Sequence, residues 1–366
     1  MHFGLFCLNP QRDAAKSARE IFRETNDQVR MAEQIGFDIA WFAEHHFSNY
    51  CLCPSPITMA TYAAALTKRI RLGTAVIVAP LYQPLRMLED LAVLDQLSDG
   101  RAVLGFGSGY QQYEFHKFGV DLKEGRNIFL ETMELTEQFI QHGAVEYAGK
   151  HIRVPKTHFS IRLRQPRPAI YVAGLAADPE TQARSARGGY VPFFTTGWST
   201  LEEIRKTRDK AAAAYAAVGG KAEEAPYAAQ RYVFVTNDRA EALRAADGAR
   251  YIRRIALSMR NQYARVHGAW LEELPAADEP SLEAIADRLI VGDAERCAAK
   301  LAEEIAALKP THISCFMAIP GIEPNRILKS MERFGGEVMP LLAKQFGALD
   351  RVGAPEPRSG ISAAAA

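Results

Sequence analysis

The chain has 366 residues, of which 48% are hydrophobic and 24% are charged, which is the balance of a globular protein that can bury a sizeable core. Its formal net charge of +1 gives no long-range field to attract nucleic acid or an anionic membrane, so we expect neither as a partner. The five cysteines are an odd number and widely scattered, which favours reduced thiols over a disulfide framework.

The first residues, MHFGLFCLNPQR, lack a basic leader followed by a long apolar run, and no apolar stretch reaches about 18 residues. We therefore expect a cytoplasmic protein without membrane spans. The C-x-C pair of Cys51 and Cys53 could hold a metal, but no second pair follows with the spacing that zinc sites use. No metal site is predicted.

Apolar runs of strand length alternate with longer segments of helical period from the first residues onward. The pattern predicts strands at 2–8, FDIAWFAE, IRLGTAVIVAP and RAVLGFGSG, and helices through FRETNDQVRMAEQIG, PSPITMATYAAALT and PLRMLEDLAVLDQLSD between them. This order is typical of parallel strands joined by crossover helices.

The alternation continues with the helix EGRNIFLETMELTEQFIQHG and the strands PAIYVAG, YVPFFT, AAQRYVFVT and THISCFMAI. About eight strand candidates spread over the chain favour an α/β fold, a closed (β/α)8 TIM barrel, over an open sheet of five or six strands. Residues 143–167 are predicted as an excursion of short strands and loop, and 251–288 as a helical insertion. We expect one barrel domain over 1–347 and a mobile tail over 348–366.

A carboxylate and two consecutive histidines, Glu44, His45 and His46, directly follow the apolar run IAWF. In a parallel barrel, the loops at the carboxyl ends of the strands build the active site, and histidine exchanges protons near neutral pH. Because adjacent side chains of a strand point to opposite sides, at most one of the two histidines should face the cavity. From the residues alone, a packed histidine at the barrel rim is as good an interpretation as a catalytic one.

Two further strand ends could lie against a ligand. GTAVIVAP contains the small residues Thr74 and Ala75, which would let a flat ligand approach the backbone, although a tightly packed core strand is the better interpretation from the residues alone. LGFGSGYQQYEF carries Gly105, Gly107 and Gly109 in a G-x-G-x-G spacing that does not complete a dinucleotide-binding motif. Glycines at a strand end nevertheless indicate that something large lies against bare backbone.

A phosphate site is suggested by YVAGLAADPETQARSA, which runs from a strand through Gly174 into a predicted helix. The free amides of Leu175 and Ala176 would form a ready site for a phosphate at that helix N-terminus, and a late barrel strand is a common place for one. Arg126, at the start of the helix after the fourth strand, is either its charge partner or a solvated surface arginine.

Together, these stretches resemble the bacterial luciferase-like flavin monooxygenases, and within them the luciferase α subunit. The matching residues are GFDIAWFAEHHF, IRLGTAVIVAPLYQPLRMLEDLAVLDQLSDGR, EFHKFGVD and ILKSMERFGGEVMPLL, in the family's order from residue 1 to about 347. The resemblance implies a barrel in which reduced flavin mononucleotide (FMN, as FMNH2) lies across the carboxyl ends of the strands. It also implies that a separate flavin reductase supplies FMNH2, that O2 adds to give a flavin hydroperoxide, and that a small organic substrate is oxygenated.

The resemblance also assigns residues, position by position. It implies that Glu44 and His45 face the cavity, that His45 is the catalytic base oriented by Glu44, and that His46 points away. It places Ala75 and Val76 at an unusual cis peptide bond under the flavin ring. The positions assigned to cofactor binding are Ala75, Val76, Gly107, Ser108, Tyr110, Arg126, Gly174, Leu175 and Ala176.

One departure from luciferase is informative. Gly107 and Ser108 stand where luciferase has a reactive cysteine followed by arginine, so light emission from a long-chain aldehyde is not implied. The phosphate would depend more on backbone amides, Ser108 and Arg126.

Other functions stay open at this point. A deazaflavin-dependent oxidoreductase of the same fold and a non-catalytic flavin-binding partner subunit are the main alternatives, although retention of Glu44 and His45 argues against the second. A metal-dependent barrel hydrolase would need further ligands at other strand ends. The helices PSPITMATYAAALT and PLRMLEDLAVLDQLSD are apolar enough to bury a face between subunits, so we expect a homodimer, with a heterodimer as the alternative.

Overall fold

The structure, a computed structural model, describes residues 1–173, 178–261, 266–275 and 278–357, without the side chains of 260 and 261. The strands are β1 His2–Cys7, β2 Ile39–Phe42, β3 Arg71–Thr74, β4 Ile77–Val78, β5 Ala102–Gly107, β6 Ala144–Ala148, β7 Arg153–His158, β8 Ile170–Ala173, β9 Val191–Thr195, β10 Ala228–Val235, β11 Val266–His267, β12 Trp270–Leu271, β13 Ile290–Gly292 and β14 His312–Phe316. The α-helices are α1 Ala18–Gln34, α2 Pro56–Leu66, α3 Pro84–Leu97, α4 Gln112–Phe118, α5 Gly125–His142, α6 Pro179–Gly188, α7 Leu201–Ala217, α8 Arg239–Asn261, α9 Leu282–Arg288, α10 Ala294–Leu308, α11 Pro324–Arg333 and α12 Met339–Phe346.

Eight strands form a closed parallel barrel in the order β1, β2, β3, β5, β8, β9, β10 and β14. Each strand pairs in parallel with the next, and the pairing of β14 with β1 closes the ring. β4 pairs with the end of β5, and β13 pairs with the last three residues of β10. The predicted (β/α)8 TIM barrel is therefore confirmed.

The helices begin where the sequence carries start signals. The Ser17 side chain accepts a hydrogen bond from the Glu20 backbone N–H, and the Glu20 carboxylate accepts one from the Ser17 backbone N–H, which is a capping box. Thr200 and Glu203 form the same arrangement at the start of α7. Among the described residues, no helix combines the length and apolar character needed to cross a membrane.

Aromatic and branched side chains fill the barrel interior. The Trp41 indole N–H donates a hydrogen bond to His312 Nε2 at 2.8 Å. A Cβ atom on Gly73 would lie 2.3 Å from the Trp41 ring, so only glycine fits there. The interior cluster consists of Ile39, Trp41, Val103, Ala169, Tyr171, Val191, Phe193 and Ala228. The lower barrel is thus a packed core, and a ligand site belongs above it, at the carboxyl ends of the strands.

Of the two predicted excursions from the barrel, the structure agrees with one and differs from the other. Residues 143–167 contain the antiparallel hairpin of β6 and β7, which confirms the prediction of short strands. The purely helical interpretation of 251–288 is wrong, because the two-residue strands β11 and β12 form a hairpin between α8 and α9. Strands of two residues are too short to produce an alternating pattern in the sequence.

The first part of the tail is docked, which makes the prediction of a mobile tail from residue 348 wrong there. The Met1 amino group donates a hydrogen bond to the Leu349 carbonyl at 2.7 Å. Arg71 Nη1 donates to Glu356 Oε2 at 2.7 Å, and the Tyr171 hydroxyl donates to the same carboxylate. These anchors are polar, so apolar periodicity could not reveal them. Residues 358–366 lie outside the described residues.

Candidate active site

Glu44, His45 and His46 lie at the open end of the barrel, directly beyond β2. The Ala43 N–H still donates to the Cys7 carbonyl at 3.0 Å, so the backbone hydrogen bonds with the β1 edge continue up to the residue before Glu44. The His45 N–H then donates to the Cys53 carbonyl at 3.3 Å, which folds the loop back on itself. This turn places both histidines at the rim.

Glu44 holds His46 and not His45, which corrects the expected pairing. Glu44 Oε1 is 3.0 Å from His46 Nε2, and its other oxygen accepts the Tyr82 hydroxyl at 2.7 Å and the Val78 N–H at 3.3 Å. The carboxylate is 3% exposed, and burial raises the pKa of Glu44. Glu44 therefore fixes the position of His46 and of the segment after β3, and does not touch the His45 ring nitrogens.

Glu114 on α4 is the carboxylate that holds His45. His45 Nδ1 lies 2.9 Å from Glu114 Oε1, and the same oxygen accepts the His46 backbone N–H at 2.8 Å. Because a carboxylate oxygen only accepts hydrogen bonds, Nδ1 carries the proton and Nε2 is the nitrogen left for proton exchange. Sequence reasoning missed Glu114, although it is the first residue of the matching stretch EFHKFGVD.

Two tyrosines surround the His45 ring. Tyr50 lies edge-on at 4.7 Å between ring centroids and Tyr110 at 5.8 Å, and the two phenols share a hydrogen bond. Burial raises the pKa of Tyr50 well above its usual value, so Tyr50 stays neutral. The structure therefore brings Tyr110, from the loop after β5, together with His45, from the loop after β2.

The glycines of β5 leave room for other atoms of the protein to pack closely against the strand. The expected cis peptide bond between Ala75 and Val76 is present. A Cβ on Gly105 would lie 1.7 Å from the Thr74 carbonyl oxygen, and one on Gly107 would lie 2.6 Å from a Val76 methyl carbon. Gly105 and Gly107 are therefore needed for the close approach of the β3–β4 segment, and the expectation that a ligand also lies against them stays a prediction.

Two of the predicted phosphate-binding residues, Ser108 and Arg126, lie near the start of α5. A Cβ on Gly125 would lie 3.2 Å from the Ser108 carbonyl oxygen, so α5 starts against the Ser108 loop. Arg126 Nε donates to Asp178 Oδ1 at 2.9 Å, and Arg126 also pairs with Glu180. Arg126 is thus an ion-paired bridge, and its interpretation as a merely solvated surface residue is wrong.

Two donors in this region suit a phosphate, the Ser108 hydroxyl and the Arg126 guanidinium. The first amides of α6 are not free, because Pro179 has no N–H and Thr181 donates its N–H to Asp178 Oδ2 at 2.8 Å. The hydrogen bonds to Asp178 and Glu180 raise the pKa of Arg126, so its positive charge is secure. The predicted positions Gly174, Leu175 and Ala176 lie outside the described residues.

The cysteines are free and buried, which confirms the expectation of reduced thiols. Cys51 Sγ accepts the Cys53 N–H at 3.4 Å, just behind the loop that carries His45. Burial raises the pKa of Cys7, Cys51 and Cys53. Over the described part of the chain, no group of three or more His, Cys, Asp or Glu side chains could hold a metal ion.

Sequence comparison identifies related proteins. The model of the luciferase-like monooxygenase family matches residues 1–312. An uncharacterized protein of Sinorhizobium fredii is 36% identical over 350 residues, covering 95% of this chain and 99% of that protein. The alkanal monooxygenase alpha chain of the Kryptophanaron alfredi symbiont is 32% identical over 192 residues, or 51% of this chain and 52% of the relative.

Solved structures share the fold. The oxygenating constituent of 3,6-diketocamphane monooxygenase from Pseudomonas putida, in complex with FMN, has a TM-score of 0.75 at 20% identity, covering 93% of this chain and 98% of that one. A coenzyme F420 dependent tetrahydromethanopterin reductase from Methanopyrus kandleri has a TM-score of 0.68 at 20% identity, with the same coverage of both chains. The fold therefore hosts more than one kind of cofactor.

Proposed function

Because this chain belongs to the luciferase-like monooxygenase family, we propose that it is the oxygenase of a two-component system. It takes FMNH2 from a separate flavin reductase and uses O2 to oxygenate a small organic substrate. The observation that carries this proposal is the hydrogen bond from His45 Nδ1 to Glu114, which orients a proton-exchanging group at the open end of the barrel.

FMN would be held on one side of the barrel mouth. Ser108, Arg126 and the amides before α6 would hold its phosphate, and Ala75, Val76, Gly107 and Tyr110 would lie along its ring. When bound, reduced flavin supplies the electrons that activate O2. The FMN complex of the diketocamphane oxygenating constituent, which has the same fold, supports FMN as the cofactor and a separate reductase as its source.

His45 would move the proton. Glu114 keeps Nδ1 protonated and offsets the positive charge of the imidazolium that forms when Nε2 accepts a proton. Nε2 can then return that proton to an oxygen of the reacting groups. Glu44 acts as a positioning residue, because its hydrogen bonds go to His46, Tyr82 and the Val78 backbone.

The surroundings of His45 limit access of water. Tyr50 is 8% exposed and Glu114 1% exposed, so they exclude water on their side of the imidazole, whereas Tyr110, which contacts the ring at 5.8 Å, is 40% exposed. Excluding water strengthens each hydrogen bond in the site and protects reactive species from hydrolysis. These are the conditions that a reaction with activated oxygen requires.

An anaerobic titration tests the proposal. The chain is titrated with photoreduced FMN, riboflavin and a deazaflavin, and isothermal titration calorimetry reports binding. We expect FMNH2 to bind more tightly than reduced riboflavin, because Ser108 and Arg126 would contact the phosphate that riboflavin lacks. On mixing with oxygenated buffer, the flavin absorbance should return more slowly for bound than for free FMNH2.

Substitution of Arg126 tests whether this residue contributes to binding of the FMN phosphate. Arg126→Ala should weaken FMNH2 binding about tenfold or more and leave riboflavin binding unchanged. Arg184→Ala is the matched control. Arg184, on α6, also forms an ion pair, with Glu137, but it lies away from the Ser108 loop. Failure of FMNH2 to bind would overturn the proposal, and tighter binding of the deazaflavin would favour an oxygen-independent hydride transfer.

A further inference from the structure

Asn49 is a buried hydrogen-bonding residue in the loop after β2, the loop that also carries His45. It is 3% exposed. Asn49 Nδ2 donates to the Gln11 carbonyl at 3.1 Å and to the Tyr251 hydroxyl at 3.0 Å, and Asn49 Oδ1 accepts the Leu271 N–H at 2.9 Å. The whole amide group is therefore engaged with other parts of the chain.

The backbone of Asn49 is bonded on both sides as well. Its N–H donates to the Ala269 carbonyl at 2.9 Å, and its carbonyl accepts the Gln11 N–H at 2.9 Å. Gln11 follows β1, Tyr251 lies on α8, and Ala269 belongs to the β11–β12 hairpin. Asn49 thus joins the loop of His45 to three segments that are far from it in the sequence.

This set of bonds requires a side chain with the chemistry of asparagine. A carboxylate of the same length accepts hydrogen bonds but donates none, and serine offers a single donor on a shorter side chain. Because Asn49 is buried, partner groups that lost it would also lack water as a replacement. The side chain therefore holds the loop in one position.

Tyr50 connects Asn49 to the candidate active site. It directly follows Asn49 in the chain, and its ring meets the His45 ring edge-on at 4.7 Å between centroids. Tyr50 is 8% exposed, so its ring covers that side of the imidazole. Since the Asn49 backbone is fixed by its bonds to Ala269 and Gln11, the Tyr50 ring is held against His45.

The hairpin segment has a second attachment that does not involve Asn49. Glu273, just after β12, lies 3.9 Å from an Arg12 nitrogen and 3.7 Å from an Arg254 nitrogen. Glu279 pairs with Arg254 at 2.6 Å. These ion pairs should keep the segment against α8 when Asn49 is substituted, so the effect of Asn49 on the His45 loop can be measured by itself.

From these contacts we propose that Asn49 is a positioning residue for His45. It fixes the Tyr50 ring against the imidazole, and it makes that contact depend on the docking of the β11–β12 hairpin, which bonds Asn49 through Ala269 and Leu271. The role of this arrangement in turnover rests on the function proposed above, whereas the arrangement itself can be tested without flavin.

Histidine NMR of the flavin-free full chain tests the positioning. In protein labelled at histidine, the ring current of Tyr50 shifts the Cε1–H resonance of His45, which is assigned by its loss in His45→Gln. Tyr50→Leu removes the ring and shows where the resonance lies without it. We expect Asn49→Ala to move the resonance in the same direction, because Tyr50 is no longer held. An unchanged resonance in a folded Asn49→Ala chain would overturn the proposal.

Glu273→Gln is the matched control. It weakens the attachment of the same hairpin segment but leaves every bond of Asn49 in place, so the His45 resonance should stay where it is. An equal shift in Glu273→Gln and Asn49→Ala would reflect general loosening of the segment and would reject a specific role of Asn49.

Tyr251→Phe covers the case in which Asn49→Ala does not fold. This variant removes only the hydroxyl that accepts a hydrogen bond from Asn49 Nδ2. We expect a smaller shift of the His45 resonance in the same direction. No shift in Tyr251→Phe would then count against the proposal.

A measurement with FMNH2 gives the second readout. Asn49→Ala should bind FMNH2 as tightly as the unmodified chain, because the proposed phosphate donors Ser108 and Arg126 lie on other loops. After mixing with oxygenated buffer, the flavin absorbance should return about tenfold faster, since the group that moves the proton is misplaced and one side of it is open to water. An unchanged rate with bound FMNH2 would overturn the positioning role.

The two proposals can fail separately. If the His45 resonance shifts as expected but the unmodified chain does not bind FMNH2, the monooxygenase function is wrong and the positioning of His45 by Asn49 stands. If FMNH2 binds and its reoxidation is slowed by the unmodified chain, but Asn49→Ala changes neither the resonance nor the rate, the function stands and the role of Asn49 is wrong.

Discussion

At the level of single residues, the two neighbouring histidines are held by different carboxylates, His45 by Glu114 and His46 by Glu44. Glu44, His45 and Arg126 were placed at strand ends and helix starts from pattern and resemblance, and the structure has them there. The partner of His45 was wrong, because the correct carboxylate, Glu114, is 69 positions away in the chain. Which carboxylate meets which histidine depends on how α4 packs over the β2 loop, and spacing does not encode that.

The Glu114 contact leads to a prediction about the His45 ring. Glu114→Ala should convert His45 from one tautomer, with the proton on Nδ1, to a mixture, because the acceptor that fixes the proton is gone. Long-range 1H–15N NMR spectra of protein labelled at histidine distinguish the two tautomers. Glu44→Ala is the control, and it should change the His46 signals while leaving those of His45. A single unchanged tautomer in Glu114→Ala would show that Glu114 does not orient the ring.

At the level of elements, apolar patterns in the sequence predict the barrel strands and the helices between them, but they do not predict the β11–β12 hairpin or the docked tail. Apolar runs of strand length predict the eight barrel strands, and apolar residues at helical spacing predict the helices between them, because these residues are the ones that pack in the core. The hairpin of β11 and β12 was missed because each strand has two residues, and the docked tail because polar bonds hold it. The backbone of that hairpin is fixed by Asn49, which accepts the Leu271 N–H at 2.9 Å and donates its own N–H to the Ala269 carbonyl at 2.9 Å.

The tail contact predicts a measurable loss of stability. Glu356→Gln should lower the free energy of unfolding by about 1–3 kcal/mol, because Arg71 would lose a partly buried ionic partner at the base of the barrel. Chemical denaturation measures the change. Glu337→Gln breaks an ion pair with Arg333 in which the Glu337 side chain is 45% exposed, and it should cost less than about 0.5 kcal/mol. Equal effects of the two substitutions would mean that the tail is not anchored in solution.

At the level of the whole molecule, we propose that two copies of the chain pair through α2 and α3. The exposed large apolar side chains of these helices are Tyr62, Val93 and Leu97, of which Leu97 is 62% exposed. Isolated exposed apolar residues are ordinary, whereas several on two adjacent helices indicate a contact surface.

The cytoplasmic location expected from the sequence stays a prediction.

Sedimentation velocity tests the dimer. The unmodified chain should sediment as a dimer, and Leu97→Lys should shift it to monomer, because the substitution would bury a charge in the interface. Leu341→Lys changes an exposed leucine on α12 and should leave the dimer intact. A monomeric unmodified chain, or a Leu97→Lys variant that remains dimeric, would contradict pairing through this surface.

The burial of the five thiols limits their oxidation by peroxide. Oxidation of cysteine by peroxide proceeds through the thiolate and requires access to it. All five cysteines are buried, and burial raises the pKa of Cys7, Cys51, Cys53, Cys297 and Cys315, so each stays a protonated thiol. If the function proposed above is correct, peroxide released near Cys51 and Cys53 would therefore meet buried, protonated thiols, which react slowly with it.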